Sequence, residues 1–283
     1  MSDDLGFDFS SAIPWFPHHL KHPYVLVRVS DEHAKSWADA LGLTVRRCYV
    51  SDSVIITRAK ELCVDMANII AARMPDAGST MAGDFGEILV YLYQSAKELP
   101  IVAFGPKKWR LKQDRTKPAP HSDVLHFILP SWPQASDRDE LICSEVKTKS
   151  TKSKFNPIND AIADGAKDRL SRLVRTLIWL RERALIESLG DVSIAHLERF
   201  INVTEHPEAK KRFQAVAVVC NSLVDVELQN APTSVASDFS VIVVSVPDLK
   251  MTYSAVFDAA KKAFAQDLSQ KCAPAPAQVV TAK

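Results

Sequence analysis

No C-x-x-C pair occurs in this sequence: its five cysteines, Cys48, Cys63, Cys143, Cys220 and Cys272, are scattered and odd in number. That usage excludes a disulfide framework and a zinc finger, and it fits a reducing cytoplasm. A signal peptide is missing as well, because Met1-Ser2-Asp3-Asp4 is acidic where a leader would be basic, and no apolar run approaches the length of a membrane span. Both absences predict a soluble, cytoplasmic protein without membrane contact. Surplus charge is lacking too: the formal net charge is +1, which by itself points to no polyanionic partner. The stretch Gly83 to Glu87 lacks the Gly-Lys-Ser/Thr of a P-loop, no G-x-S-x-G elbow occurs, and no segment repeats. His18, His19 and His22 have no fourth ligand nearby and read as surface histidines rather than a metal site.

What the chain does have is apolar content. At 283 residues and 47% hydrophobic it can bury a large core, in one large domain or two smaller ones. Charge is also uneven. From Gly105 to Lys154 there are eleven Lys and Arg against six Asp and Glu, with much of the excess in Lys107, Lys108, Arg110 and Lys112.

Inside that basic region the pattern turns to β-structure. Asp123 to Leu129 and Leu141 to Lys147 read as strands, and Pro130 to Glu140, with two prolines and four charges, reads as the connecting loop of a hairpin. Side chains two apart on a strand share a face, so Glu145 and Lys147 project together. Pairing Leu129 with Leu141 sets Leu125 opposite Glu145 and Asp123 opposite Lys147, and any even slip keeps both carboxylates and the lysine on one side.

Around the hairpin, Tyr24 to Val29 and Leu43 to Val50 look like strands separated by a helix through Trp37, after an irregular arm at 1–23. A helix follows from about Thr57 to Met74 and ends at Pro75. A second, with the stripe Phe85, Ile88, Leu89, Leu92 and Ala96, starts at Asp84, where Asp84 and Glu87 match a capping box. Leu99 to Phe104 and Trp109 to Leu111 are strand candidates. Asn156-Pro157 opens a long helix running to a stop at Gly190, with Arg169, Arg172 and Arg175 on its polar side. A short helix near Ile194 to Phe200, buried strands at Phe213 to Cys220 and Ser240 to Val246, a helix from Tyr253 to Leu268 and a disordered tail complete the chain. The organisation predicted is an N-terminal α+β extension at 1–80, a main domain at 81–270 and a tail at 271–283.

The order of a helix with Glu87, strands, Asp123, then Glu145-x-Lys147, a long helix and another strand resembles the PD-(D/E)xK nuclease core, an α/β fold of αβββαβ order with a mixed central sheet flanked by helices. More specifically, Gly86-Glu87, the basic stretch through Trp109-Arg110-Leu111-Lys112, Ser122-Asp123-Val124-Leu125 and Glu145-Val146-Lys147 together resemble the HamA family, the nuclease subunits of Hachiman antiphage defence systems. His121 stands where the family pattern often has glycine. The resemblance implies a DNA endonuclease of little sequence specificity that works beside a superfamily 2 helicase, HamB.

The chemistry is consistent with that implication. A phosphodiester repels hydroxide, so its hydrolysis calls for a hard divalent cation. Asp123 and Glu145 would hold Mg²⁺, or Mn²⁺ in its place, and the resemblance adds the Val146 carbonyl. Lys147 would orient or activate water and stabilise developing charge, and Glu87 would complete the metal shell directly or through water. Lys107, Lys108, Arg110, Lys112, Lys149 and Lys152 are candidate DNA contacts. Each element also has a plainer reading: a surface ion pair for Glu145 and Lys147, a helix cap for Glu87, a charged strand edge for the lysines. A nuclease-like module that docks nucleic acid without cutting, and a site-specific restriction subunit, remain as other functions.

Overall fold

The computed structural model describes residues 4–21, 23–233 and 239–264. A 3₁₀ turn, Phe9–Trp15, leads into strands β1 (His18–Lys21) and β2 (Tyr24–Arg28), followed by helices α1 (Asp31–Tyr49), α2 (Asp52–Leu62), α3 (Met66–Arg73) and α4 (Ser79–Lys97). Next come β3 (Ala103–Phe104), a 3₁₀ turn at Lys108–Leu111, β4 (Val124–Ile128) and β5 (Glu140–Lys149). Helices α5 (Pro157–Lys167) and α6 (Leu173–Ala184) are joined by a π-helical turn, Asp168–Arg172. Then follow α7 (Ile194–Ile201), β6 (Lys210–Cys220), α8 (Val224–Gln229), β7 (Phe239–Val246) and α9 (Leu249–Lys262).

Among the described residues the strands form one mixed sheet in the order β1-β2-β7-β6-β5-β4-β3. Its middle, β2, β7, β6 and β5, is parallel, and antiparallel strands extend it at each end. The β-branched runs of β6 and β7 lie at the centre and are buried from Ala215 to Cys220 and from Val241 to Val246, as unbroken apolar strands of a covered parallel sheet should be. Helices flank it, and α4, buried along Asp84 to Ala96, runs through the core.

Several local expectations change. Leu43 to Val50 is not a strand: Trp37, Leu41, Val45 and Cys48 continue one buried helical stripe, so the β-branched residues belong to the end of α1, which packs on α9. The helix expected over 57–74 breaks at Cys63, whose φ of 52° ends α2. Part of the arm at 1–23 forms β1, and His18 meets the Tyr93 hydroxyl at 3.0 Å; His22 lies outside the described residues. Trp109 to Leu111 is a 3₁₀ turn rather than a strand. The helix after Asn156 does begin at the predicted cap, with the Asn156 side chain accepting the Asn159 N–H. It passes through the π-turn, however, and ends at Ala184. The last helix closes at Lys262, and the predicted tail lies outside the described residues.

Candidate active site

Strands β4 and β5 pair antiparallel with Val124 opposite Ser144, Leu125 opposite Cys143 and Phe127 opposite Leu141. This register differs by two residues from the one drawn by matching Leu129 to Leu141, an even slip that leaves every side chain on its face. Asp123 therefore arrives beside Glu145. Its Oδ2 accepts the Val146 backbone N–H at 2.8 Å. Just before it, His121 has φ 70°, the left-handed conformation that glycine adopts most readily; the chain makes the glycine-type turn with a histidine.

Glu145 is 1% exposed and both of its oxygens meet cations. Lys147 Nζ lies 2.6 Å from Oε1, and Arg172 NH2 lies 2.6 Å from Oε2. Lys147 is also held by Asp164 of α5 at 2.7 Å. Helix α5 reaches this close because of Gly165, where a Cβ would stand 3.6 Å from Glu145 Cβ and only 2.7 Å from the Phe239 ring. Arg172 comes from the π-turn. It binds both oxygens of Asp168 at 2.8 Å, through Nε and NH2, and Asp168 accepts the Ser122 hydroxyl at 2.6 Å. Adjacent residues Ser122 and Asp123 thus serve two parts of one site, Ser122 holding the arginine's partner Asp168 and Asp123 accepting the Val146 N–H.

Glu87 comes from the other side of the sheet. A Cβ at Gly86 would collide with Thr148 Oγ1 and approach Val146, even-numbered β5 residues, whereas Gly165 meets odd-numbered Glu145. Helices α4 and α5 therefore cover opposite faces of β5. The capping-box expectation for Asp84 and Glu87 does not hold: α4 starts at Ser79, with Gly78 at its cap position. Glu87 is 6% exposed and accepts the Trp109 indole N–H at 3.1 Å. Asp84 accepts the Tyr49 hydroxyl at 2.6 Å and Lys112 Nζ at 2.7 Å.

Burial, then the Asp123 charge, lifts the Glu145 carboxyl to about 8. The same two causes, in the same order, place Glu87 well above the usual carboxylate range. Asp123 is raised, chiefly by desolvation. Burial opposes the Lys147 ammonium, but the hydrogen bonds it donates to Asp164 and Glu145 outweigh that effect and raise its pKa. Lys147 is then held as an ammonium, with N–H donors rather than a lone pair to offer. Burial and mutual repulsion raise these carboxyl groups because the neighbouring cations only partly offset the cost of ionising them together; a divalent cation, which prefers hard oxygen donors, would supply the missing positive charge. The residues fit such an ion. Among the described residues no three His, Cys, Asp or Glu side chains are grouped as a ready-made centre; Asp123 and Glu145 are the two carboxyl groups that the adjacent strands bring side by side. Glu87, on the opposite-face helix, would act through water.

These groups open onto a cleft of about 780 Å³ lined by Glu87, Asp123, Glu145, Lys147 and Arg172, with Lys250 at the rim. The basic segment is turned largely inward, onto partners within the protein. Lys107 is buried against Asp4, Asp191 and the Tyr91 hydroxyl, and Lys108 against the Ser122 carbonyl. Arg110 binds Asp4 and the Arg47 carbonyl, and Lys112 binds Asp84. Lys149, also buried, pairs with Glu227 at 2.7 Å and holds the Ser153 carbonyl. Buried ammoniums need partners, and these have them. Lys152 is exposed. Sequence reasoning missed Asp164, Asp168 and the inward role of Arg172. Their four-residue spacing along 164–172 was the available signal.

A sequence-family model described as HamA matches residues 8–260. Among curated proteins, none matches the sequence.

Proposed function

The chain belongs to the HamA family, and from that premise we propose that it is the nuclease effector of an antiphage defence system, a divalent-cation-dependent phosphodiester hydrolase acting on DNA beside a helicase partner. The observation that carries this reading is the convergence of Asp123, Glu145 and Lys147 from two adjacent strands onto one cleft. The element order α4, β3, β4, β5, α5, β6 supports the PD-(D/E)xK comparison. The family supports a defence role and association with other components of the system.

Asp123 and Glu145 would hold Mg²⁺ or Mn²⁺, with the Val146 carbonyl as a further oxygen. Bound there, the ion would neutralise the phosphodiester and make a water acidic enough to attack at neutral pH. The chain's own residues do the rest. Lys147, kept protonated between Glu145 and Asp164, donates hydrogen bonds to the water or to charge developing on the phosphoryl oxygens. The Val146 N–H fixes Asp123, while Trp109 fixes the Glu87 carboxylate that steadies water on the far side of the cleft. Backbone contacts fall to exposed cations such as Lys152 and Lys250, and contacts of that kind carry little sequence preference.

The test is to incubate the purified chain, with and without the product of the neighbouring helicase gene, on plasmid and linear DNA with Mg²⁺. Fragments of all sizes support the proposal. One discrete cut site would favour a restriction subunit, and binding without any cleavage would favour a silent docking module.

A further inference from the structure

We infer that Arg172 is a substrate-phosphate ligand of this site, a guanidinium held rigid on one edge so that its other edge can receive the nucleic-acid backbone. The inference rests on the hydrolase reading above and adds to it a residue that neither the D-E-x-K pattern nor the family match assigns.

Three observations carry it. The first is how the fork is divided. Nε and NH2 bind Asp168, Glu145 and the Asp164 carbonyl, whereas NH1 has no hydrogen-bond partner among the described residues. The side chain is 26% exposed and lines the cleft. A tether between helix and strand needs only the edge already bonded. An arginine that lines a cleft with two N–H groups left over has the donor geometry that a phosphate oxygen takes.

The second observation is the support behind it. Asp168 is 2% exposed and is itself fixed by Ser122, and Thr176 accepts the Ser122 backbone N–H at 3.1 Å while donating to the Arg172 carbonyl at 2.8 Å. Both the side chain and the backbone of Arg172 are therefore tied to Ser122, the residue next to Asp123. Such preorganisation lowers the entropy lost when a ligand binds. The third is the π-turn. The Leu173 N–H reaches the Asp168 carbonyl, five residues back, so one extra residue is accommodated in a helix that otherwise runs on. Single π-turns weaken a helix, and they concentrate where a side chain must be re-aimed. Here the turn contains Arg172, which reaches both Asp168 and Glu145.

With NH1 on a non-bridging oxygen and NH2 on Glu145, one guanidinium would link the substrate to a metal-binding carboxylate. Lysine would not reproduce this geometry, because a guanidinium spreads its donors over separate edges of one plane whereas an ammonium gathers its three on a single atom.

The experiment measures fluorescence anisotropy of a short DNA duplex against the full chain in EDTA, over a range of salt. Arg172→Gln should weaken binding roughly tenfold, the size expected for a lost charged hydrogen bond, and lower the log–log salt slope by about 1. Arg58→Gln, on α2 and outside the cleft, should change neither. Arg172→Lys should keep the fold and the slope yet lose part of the affinity; it is the variant to read if the glutamine protein does not fold. Wild-type affinity and slope in Arg172→Gln, wild-type affinity in Arg172→Lys, or no metal-free DNA binding by the wild type would each overturn the inference. A wild type that binds DNA but never cleaves it with Mg²⁺ would sink the hydrolase reading and leave the phosphate ligand standing.

Discussion

Asp123 Oδ2 accepts the backbone N–H of Val146 at 2.8 Å, so the residue that separates Glu145 from Lys147 also anchors the carboxylate of the neighbouring strand. Function and local stability can be separated here by two substitutions. Asp123→Asn keeps an oxygen for the Val146 N–H, whereas Asp123→Ala leaves that donor without its partner, at a cost of about 1–3 kcal/mol. Both variants should lose cleavage, and only the alanine variant should melt clearly lower. Equal melting temperatures would show that the bond does not anchor the strand end.

Glu87 is a buried acceptor for the Trp109 indole and not a helix cap. Glu87→Gln retains an oxygen for the indole but gives up the charge, and a neutral amide is a poor partner for a cation or its waters. Cleavage should fall at least tenfold with the melting curve little changed, and Trp109→Phe should show a smaller loss. Full activity in Glu87→Gln would remove Glu87 from the site.

Lys112 tests the basic segment. Its ammonium is 2.7 Å from Asp84, a carboxylate with 1% side-chain exposure. Lys112→Met strands that charge, which costs about 3–5 kcal/mol when a buried pair is broken, and Lys112→Met with Asp84→Asn should recover most of the loss. The DNA salt slope should stay that of the wild type. A reduced slope with unchanged stability would return Lys112 to the surface role that its sequence context suggests.

His126 gives the chain a pH dependence. It is fully buried, stacked on Tyr91 with ring centroids 4.6 Å apart, and its Nε2 lies 3.2 Å from the Tyr91 carbonyl and 3.1 Å from Ser95 Oγ. Burial pushes its pKa down to about 3, and the positive charges of Lys107 and Arg212 act in the same direction against the Tyr91 hydrogen bond. Below the ordinary histidine value the unfolded chain takes up a proton that the folded chain refuses, so stability falls as pH drops from 6.5 toward 3. Between pH 6.5 and 5 the wild type should lose roughly 2 kcal/mol relative to His126→Phe. Parallel melting-temperature profiles for the two proteins would contradict this account.

How far the site could be read from sequence depends on the range of the interactions. Alternation along β4 and β5 is local, so the shared face of Asp123, Glu145 and Lys147 could be drawn even with the register two residues off. The Asn156-Pro157 helix start is equally local. Leu43 to Val50 misled because buried helix and buried strand are both apolar, and only packing against α9 separates them. The burial of the lysines was hidden for a different reason. Asp4, Asp191 and Asp84, which neutralise them, come from three distant parts of the chain, and no window around residue 110 contains all three. Arg172 looked like one of a row of surface arginines because a π-turn leaves no mark in a 3.6-residue pattern.

The most direct measurement is the initial rate of DNA cleavage with Mg²⁺ for the wild type, Glu145→Gln and Lys147→Gln, run beside their melting curves and with the helicase partner present. The account predicts cleavage by the wild type that EDTA abolishes, no detectable cleavage by either variant, and melting temperatures showing that all three are folded. Undiminished cutting by both folded variants would contradict it.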